Sequence, residues 1–400
     1  MNAPSGAPAA RPAVDAPAPR PRLLVVGPLP PPIGGVETFT QAILESPALA
    51  AFDVAHGDIT KGRPKATQGR FDPANFGWAL IHFLRIARAL ARHEPDVAYI
   101  PIAGTWSGFL RDVALGWLAR RTRARVIGHQ HAGEIARVLA RRGLAERVVR
   151  AGFGQFHRLL VLGEPWRRMF LDYGLAMPIE ICPSTFRREV FERGRAAVPV
   201  ARTDAALRLL FVGQVGRRKG VLDLIEALAR LLARGRDVTL TVAGPDQRPG
   251  ERDAAIARAA ELGLGSHLVR FPGAVHGEAL YDLYASHDAF VLPSYTEGIP
   301  VVLYEAGAFG LPVVTTPVGA IPDLVRHERN GLLVAPGDVA GLAAALERLA
   351  GDPPLRARLG ARLREDVLAF HPDRVAARVA EAVWSELAAR DARGSAVASA

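Results

Sequence analysis

Ala289-Phe290-Val291-Leu292-Pro293-Ser294-Tyr295-Thr296-Glu297-Gly298-Ile299-Pro300-Val301-Val302-Leu303-Tyr304-Glu305-Ala306-Gly307-Ala308-Phe309-Gly310-Leu311-Pro312-Val313-Val314-Thr315 is the stretch that decides the fold class. Its two ends, Ala289–Pro293 and Leu311–Thr315, are short apolar runs of strand length. Between them Pro300 and Gly310 bracket a short helix, in the order proline first and glycine last that helix ends favour. A strand, a helix and a second strand in so few residues make a parallel crossover unit. The helix is apolar nearly all round, so it is buried. Glu305 is buried with it, and a buried carboxylate needs a partner or a task. Glu297 precedes the helix in the loop that leaves the first strand, so two carboxylates can reach one ligand at different depths. Carboxylates accept hydrogen bonds from vicinal diols, so one can meet a sugar and the other a ribose.

The same alternation extends through the chain. Strands are expected at Leu23–Gly27, Phe52–His56, Asp96–Pro101, Arg125–Gln130, Arg158–Gly163 and Ile179–Cys182. A second set is expected at Arg208–Gly213, Val238–Gly244, Leu268–Phe271, Ala289–Pro293, Leu311–Thr315 and Gly331–Val334. Leu23-Leu24-Val25-Val26-Gly27 and Leu209-Leu210-Phe211-Val212-Gly213 echo one another, each running into a glycine-bearing loop and then a helix. The fold class is therefore α/β, with two doubly wound Rossmann-like domains facing a cleft. In such sheets ligands sit at the carboxyl ends of the strands. The expected parts are a disordered Ala/Pro-rich tail over 1–22, a first domain over 23–195, a linker over 196–204 and a second domain over 205–370. A helix over 371–390 carries Val375, Val379, Val383 and Leu387 as one apolar stripe in need of a partner surface, and 391–400 is read as a frayed tail.

Cysteine usage and charge narrow the classes. Cys182 is the only cysteine, which excludes a disulfide framework and a cysteine-based zinc site and suits a reducing compartment. No apolar run reaches the ~20 residues of a membrane span, and the first residues lack the apolar segment of a signal peptide. A cytoplasmic location follows, with attachment at the inner face of the membrane as an extension of the charge argument. The net charge of +10 falls on the first half: residues 21–200 hold 25 Lys and Arg against 15 Asp and Glu, whereas residues 201–400 hold 23 against 24. That excess points to anionic company for the first domain, or simply to arginine-solvated helix faces. Arg120, Arg121, Arg123 and Arg125 form the tightest cluster, after an apolar stretch containing Leu110 and Trp117, and Arg137, Arg141 and Arg142 extend it. A basic helix end beside tryptophan is an interfacial anchor for an anionic membrane. No nucleic-acid reader module accompanies the basic residues.

Three glycine-bearing helix starts, the third being Glu297-Gly298-Ile299-Pro300 ahead of the buried helix, are candidate phosphate sites, because a free helix N-terminus exposes unpaired N–H groups and the positive end of the helix dipole. Gly34-Gly35 opens a helical run over Val36–Ile43, and Arg217-Arg218-Lys219-Gly220 opens one with Val221, Leu224, Ile225 and Leu228 on one face. No Asp-x-Asp triplet occurs in the chain, so a diphosphate-holding metal lacks its usual ligands.

Together these residues resemble the family 4 glycosyltransferases of the GT-B fold. The resemblance covers most of Arg22–Leu387 and is most specific over Pro293–Pro300, Glu305-Ala306, Gly310–Val314 and Val318–Pro322. It implies a retaining glycosyltransferase that moves a sugar from a nucleotide-diphosphate donor to a glycan or lipid-linked glycan, in cell-surface polysaccharide synthesis. It implies catalytic roles for Glu297, His131 and Lys219: Glu297 beside the donor sugar, His131 in the histidine loop near it, and Lys219 on the diphosphate. Donor binding falls to Gly34, Gly35, Gln214, Arg217, Arg218, Lys219, Gly298, Ile299, Pro300 and Glu305, with Glu305 on the ribose. The neighbouring His129 is read as structural. The nucleotide sugar is a substrate; no cofactor and no metal are expected. Gln214 departs from the family's arginine, so Arg217 or Arg218 must supply that charge; Ser184 departs from the family's asparagine at a structural position. Two alternatives share the fold: a sugar-nucleotide 2-epimerase, and a non-catalytic sugar-nucleotide-binding subunit.

Overall fold

The computed structural model describes residues 19–31, 34–60, 73–131, 143–197 and 206–398. The strands are β1 (Arg22–Gly27), β2 (Asp53–Asp58), β3 (Val97–Ile102), β4 (Arg125–Gln130), β5 (Arg158–Val161), β6 (Ile179–Ile181), β7 (Leu207–Val212), β8 (Val238–Ala243), β9 (Val269–Gly273), β10 (Ala289–Leu292), β11 (Val313–Thr315) and β12 (Leu332–Leu333). Helices among the described residues are α1 (Gly35–Leu44), α2 (Pro73–His93), α3 (Trp106–Arg121), α4 (Leu144–Phe153), α5 (Glu164–Asp172), α6 (Arg188–Ala196) and α7 (Val221–Ala233). They continue with α8 (Glu251–Glu261), α9 (Glu278–Ser286), α10 (Val301–Ala308), α11 (Ile321–Leu324), α12 (Val339–Gly351), α13 (Pro353–Asp366) and α14 (Pro372–Ala398).

All strands pair in parallel, in two six-stranded sheets ordered β2-β1-β3-β4-β5-β6 and β12-β11-β10-β7-β8-β9. Each order reverses once, at β1/β3 in the first sheet and β7/β10 in the second. At such a switch point the crossovers leave to opposite faces and open a crevice beyond the strand ends. The inner strands β1, β3, β7 and β10 are buried on both faces, as a parallel sheet covered by helices requires, whereas the edge strands β2 and β9 are partly exposed. This is the α/β architecture of two Rossmann-like bodies expected from the alternating runs.

The helix α14 lies on the first sheet. Val375, Val379, Val383 and Leu387 are buried in one cluster with Val25, Phe39, Tyr99 and Ile127. Glu386 on this helix is 1% exposed and sits between two guanidiniums, 2.6 Å from Arg125 and 3.0 Å from Arg158. The helix continues to Ala398, past the residue 390 expected from the apolar stripe, so 391–398 is helical and not a frayed tail. Most of the expected linker, from residue 198, lies outside the described residues, as do residues 1–18 of the expected N-terminal tail and Arg137, Arg141 and Arg142 of the basic patch.

The chain changes body before the expected linker. Phe186 and Val190 belong to the core of the second sheet, and Phe186 stacks on Tyr304 of α10 with ring centroids 5.8 Å apart. A Cβ on Gly194 would stand 2.7 Å from the Ala308 carbonyl, so α6 approaches α10 at a distance only glycine permits. The return crossing runs beside the first: the Thr185 hydroxyl donates to the Phe370 carbonyl at 2.7 Å.

Candidate active site

Three loops of the second sheet converge at the β7/β10 switch point. The loop after β7 closes in a 3-10 turn, Arg217–Lys219, and then Gly220 with φ +71°. A Cβ there would lie 2.1 Å from the Pro293 carbonyl oxygen, so only glycine lets this loop meet the end of β10. The loops are stitched by the Tyr295 N–H, which donates to the Arg218 carbonyl at 2.9 Å, and by the Arg218 guanidinium, which donates to the Thr296 carbonyl at 3.2 Å. The loop after β11 closes the other side. Its Gly319 (φ +60°) leaves no room for a Cβ against the Glu297 carbonyl, and the Ala320 N–H donates to Gly298 at 2.8 Å.

This framework sets Lys219 Nζ 2.5 Å from Glu297 Oε1, with the two side chains 12% and 8% exposed. Burial pushes the Lys219 ammonium below its ordinary pKa, and the Glu297 carboxylate works against that shift. A desolvated, fixed ammonium of this kind is preorganised for an anion that enters the site. Of its neighbours, Arg217 is exposed, whereas Arg218 is half-buried and reaches Gln214 Oε1 at 3.4 Å. Arg218 is therefore the cation that stands next to the Gln214 position.

Glu305 is buried on α10. It is 6% exposed and accepts a hydrogen bond from the Tyr284 hydroxyl at 2.8 Å. Burial raises its pKa, while the Tyr284 bond and the charge of Arg187 pull it back. Neither partner was visible in the sequence. The only signal was that a carboxylate inside an apolar helix requires one.

The first sheet brings α1 and the end of β4 to the same place. A Cβ on Gly35 would lie 3.9 Å from Val301 Cγ2, at the start of α10, and one on Gly298 would lie 3.3 Å from the His131 carbonyl oxygen. Gly34, Gly35, His131, Glu297, Gly298 and Lys219, together with Ile299 and Pro300 ahead of α10, therefore gather where the two sheets' carboxyl edges meet. The His131 ring packs on Phe39 at 4.8 Å, and burial pushes its pKa down to about 3, so it is neutral. Its Nε2 is buried without a hydrogen-bond partner among the described residues. His129 has both nitrogens engaged: Nδ1 accepts from the Tyr99 hydroxyl at 2.6 Å and Nε2 donates to the Cys182 carbonyl at 2.9 Å. It is a structural histidine. A second cross-body bond is the Asp323 carboxylate, which accepts from the Glu164 N–H at 2.8 Å and so caps α5 of the first body from the second.

Residues 206–352, which include Lys219, Glu297 and Glu305, match the family model described as glycosyl transferases group 1. Over 160 residues the chain is 35% identical to an uncharacterized glycosyltransferase of Methanocaldococcus jannaschii, covering 40% of either chain. The chain spans about two fifths of the length of the curated relatives it matches. Likeness of structure extends further. A sucrose-phosphate synthase of Thermosynechococcus elongatus superposes with a TM-score of 0.71 at 23% identity, over 92% of this chain and 100% of that one. HepE of Anabaena, solved with UDP-glucose, gives 0.67 at 19% identity, over 91% and 99%. These two likenesses establish the two-domain fold.

Proposed function

We propose that the protein is a retaining, metal-independent glycosyltransferase that moves a hexose from a nucleotide-diphosphate sugar to a glycan or lipid-linked glycan acceptor, in cell-surface polysaccharide synthesis. The observation that carries this reading is the Lys219–Glu297 pair, which is desolvated and held by three loops at the β7/β10 switch point, inside the segment that matches group 1 glycosyltransferases.

In this reading the donor lies on the second body. Its diphosphate displaces the Glu297 carboxylate from Lys219 and takes the ammonium, the Arg218 charge and the free N–H groups at the start of α10. Glu297 is released toward the sugar hydroxyls. Glu305 exchanges or shares its Tyr284 bond with the ribose diol. Gly34 and Gly35 let the first body's backbone approach the donor, and the neutral His131 offers its unpartnered Nε2 to a sugar hydroxyl. The acceptor oxygen bonds to the anomeric carbon as the bond to the diphosphate oxygen breaks. The departing diphosphate takes the acceptor's proton, and the configuration is retained. Fixed cations in a water-poor cleft stabilise the charge that develops on the diphosphate. Lys219 and Arg218 supply the positive charge that a metal supplies elsewhere.

The test is turnover. The pure protein is incubated with a panel of uridine, guanosine, adenosine and thymidine diphosphate sugars in EDTA, and release of the nucleoside diphosphate is followed. Slow hydrolysis of one donor, unaffected by EDTA, is expected. Conversion of a donor into its 2-epimer, or binding with no turnover of any donor in the presence of extracts containing acceptors, contradicts the reading.

A further inference from the structure

The helices of the first sheet that face away from α14 present a surface the proposed reaction does not use. In α2, Ile86 and Leu90 point into the core, whereas Leu80, Ile81 and Leu84 are exposed, Leu80 at 59%. Arg85, Arg88 and Arg92 are exposed on the same outward face, and Ile81, Arg85, Arg88 and Arg92 recur at the spacing of one helical stripe. The segment Pro73–His93 contains no Asp or Glu. The adjacent α3 repeats the pattern. Phe109 and Leu115 are buried, whereas Trp106, Leu110 and Trp117 are exposed along one stripe. Its one carboxylate, Asp112, is buried against Arg111 at 2.7 Å. Two neighbouring helices thus show solvent a face of large apolar side chains and arginines, with no carboxylate among the described exposed residues.

The direction of the helices orders that face. α2 leads into the start of β3 and α3 leaves its end, so both helices run against the strands. Their N-terminal halves, with Leu80, Ile81, Trp106 and Leu110, therefore lie at the carboxyl edge of the sheet, where His131 and Gly35 meet the second body, and Leu84 stands at the middle of α2. Their arginine-bearing halves trail toward the opposite edge. Arg125 does not belong to this surface. Although it stands in the tightest run of arginines, it is buried against Glu386. Arg120 donates to the Gly154 carbonyl at 2.7 Å, and Arg121 lies 3.9 Å over the Trp117 ring. No helix among the described residues is long and apolar enough to cross a membrane, which leaves contact in the plane of an interface.

We propose that the outward face of α2 and α3 docks on an anionic lipid bilayer. Leu80, Ile81, Leu84 and Leu110 enter the headgroup boundary beside the mouth of the cleft, and Arg85, Arg88 and Arg92 meet lipid phosphates. Apolar area supplies the binding, and the cationic stripe selects anionic lipid over neutral lipid and over a second copy of this basic chain. The inference deepens the proposed function, because it sets the acceptor side of the cleft against the bilayer, but its test needs no turnover.

The full chain is sedimented with vesicles of phosphatidylcholine and of phosphatidylcholine with phosphatidylglycerol, at low and moderate salt, and Trp106 is probed with brominated lipid. Binding to the anionic vesicles alone, weakened by salt, with quenching reduced in Trp106→Phe and further reduced when Trp117→Phe is added, is expected. Each of Arg85→Gln, Arg88→Gln and Arg92→Gln should weaken it roughly fivefold. These side chains are exposed, so the variants keep the fold, and an unchanged circular dichroism spectrum checks this. Leu80→Ser with Ile81→Ser should abolish quenching. Equal or absent binding to both vesicles overturns the proposal. So does binding that none of these variants alters, which places the contact elsewhere. A self-association that the serine variant removes, without lipid binding, assigns the face to a second copy instead.

Discussion

Lys219 Nζ stands 2.5 Å from Glu297 Oε1 across the point where the second sheet reverses its strand order. A buried ion pair of this kind contributes little to stability, because desolvation offsets most of the attraction, so its placement is better explained by what it holds ready. Replacing Glu297 by Gln, or Lys219 by Ala, should lower turnover about 10²–10³-fold, the usual loss for one preorganised group. The double variant should lose little more than either single one, since the two act as a unit. Near-normal rates in both single variants would remove the site from this switch point.

Glu305 gives the reaction a pH signature. Burial raises its pKa, so the carboxylate proposed to hold the ribose is ionised above that raised value and is protonated as pH falls through it. The acid limb of kcat/KM should therefore lie above the ordinary carboxylate range. Arg187→Gln removes a charge that opposes the shift and should move the limb to higher pH, whereas Glu305→Gln should abolish it and raise KM for the donor. A limb that neither substitution moves assigns the titration to another group.

His131 makes the opposite statement. With its pKa pushed down to about 3, the imidazole is neutral throughout the range in which enzymes are assayed. His131→Ala should reduce turnover without changing the shape of the pH profile. A limb near the ordinary histidine value that disappears in this variant contradicts a neutral hydrogen-bonding role.

The two-sheet fold was legible because strand runs and helix brackets are local patterns. Each expected strand, from Leu23–Gly27 to Gly331–Val334, coincides with an observed one to within a few residues. What local patterns hid was contact between distant residues. Arg125 reads as part of an exposed cluster, yet it lies under α14 and bonds Glu386, 261 positions away. The helix α6 reads as the end of the first domain, yet Val190 and Gly194 fit it to α10 of the second. Glu297 and Lys219 were readable as candidates from their loops, but their pairing, and that of Glu305 with Tyr284, depend on which strands are neighbours in the sheet.

Glu386 ties the C-terminal helix to the first body. Removing its charge with Glu386→Gln leaves the Arg125 guanidinium buried without a carboxylate, while Arg158 keeps its pair with Glu180, and breaking a buried pair in this way typically costs about 3–5 kcal/mol. Urea unfolding should show that loss as a lower midpoint. A change below about 1 kcal/mol would mean that water reaches Arg125 in the variant.

A nucleotide-diphosphate sugar is expected to bind at the Lys219–Glu297 site without a metal. Isothermal titration calorimetry of the uridine, guanosine, adenosine and thymidine diphosphates, with EDTA present, tests it most directly in the native chain and in Lys219→Ala. One nucleotide should bind the native chain in EDTA, and Lys219→Ala should weaken that binding at least tenfold. Binding that appears only when magnesium or manganese is added, or that Lys219→Ala leaves unchanged, contradicts it.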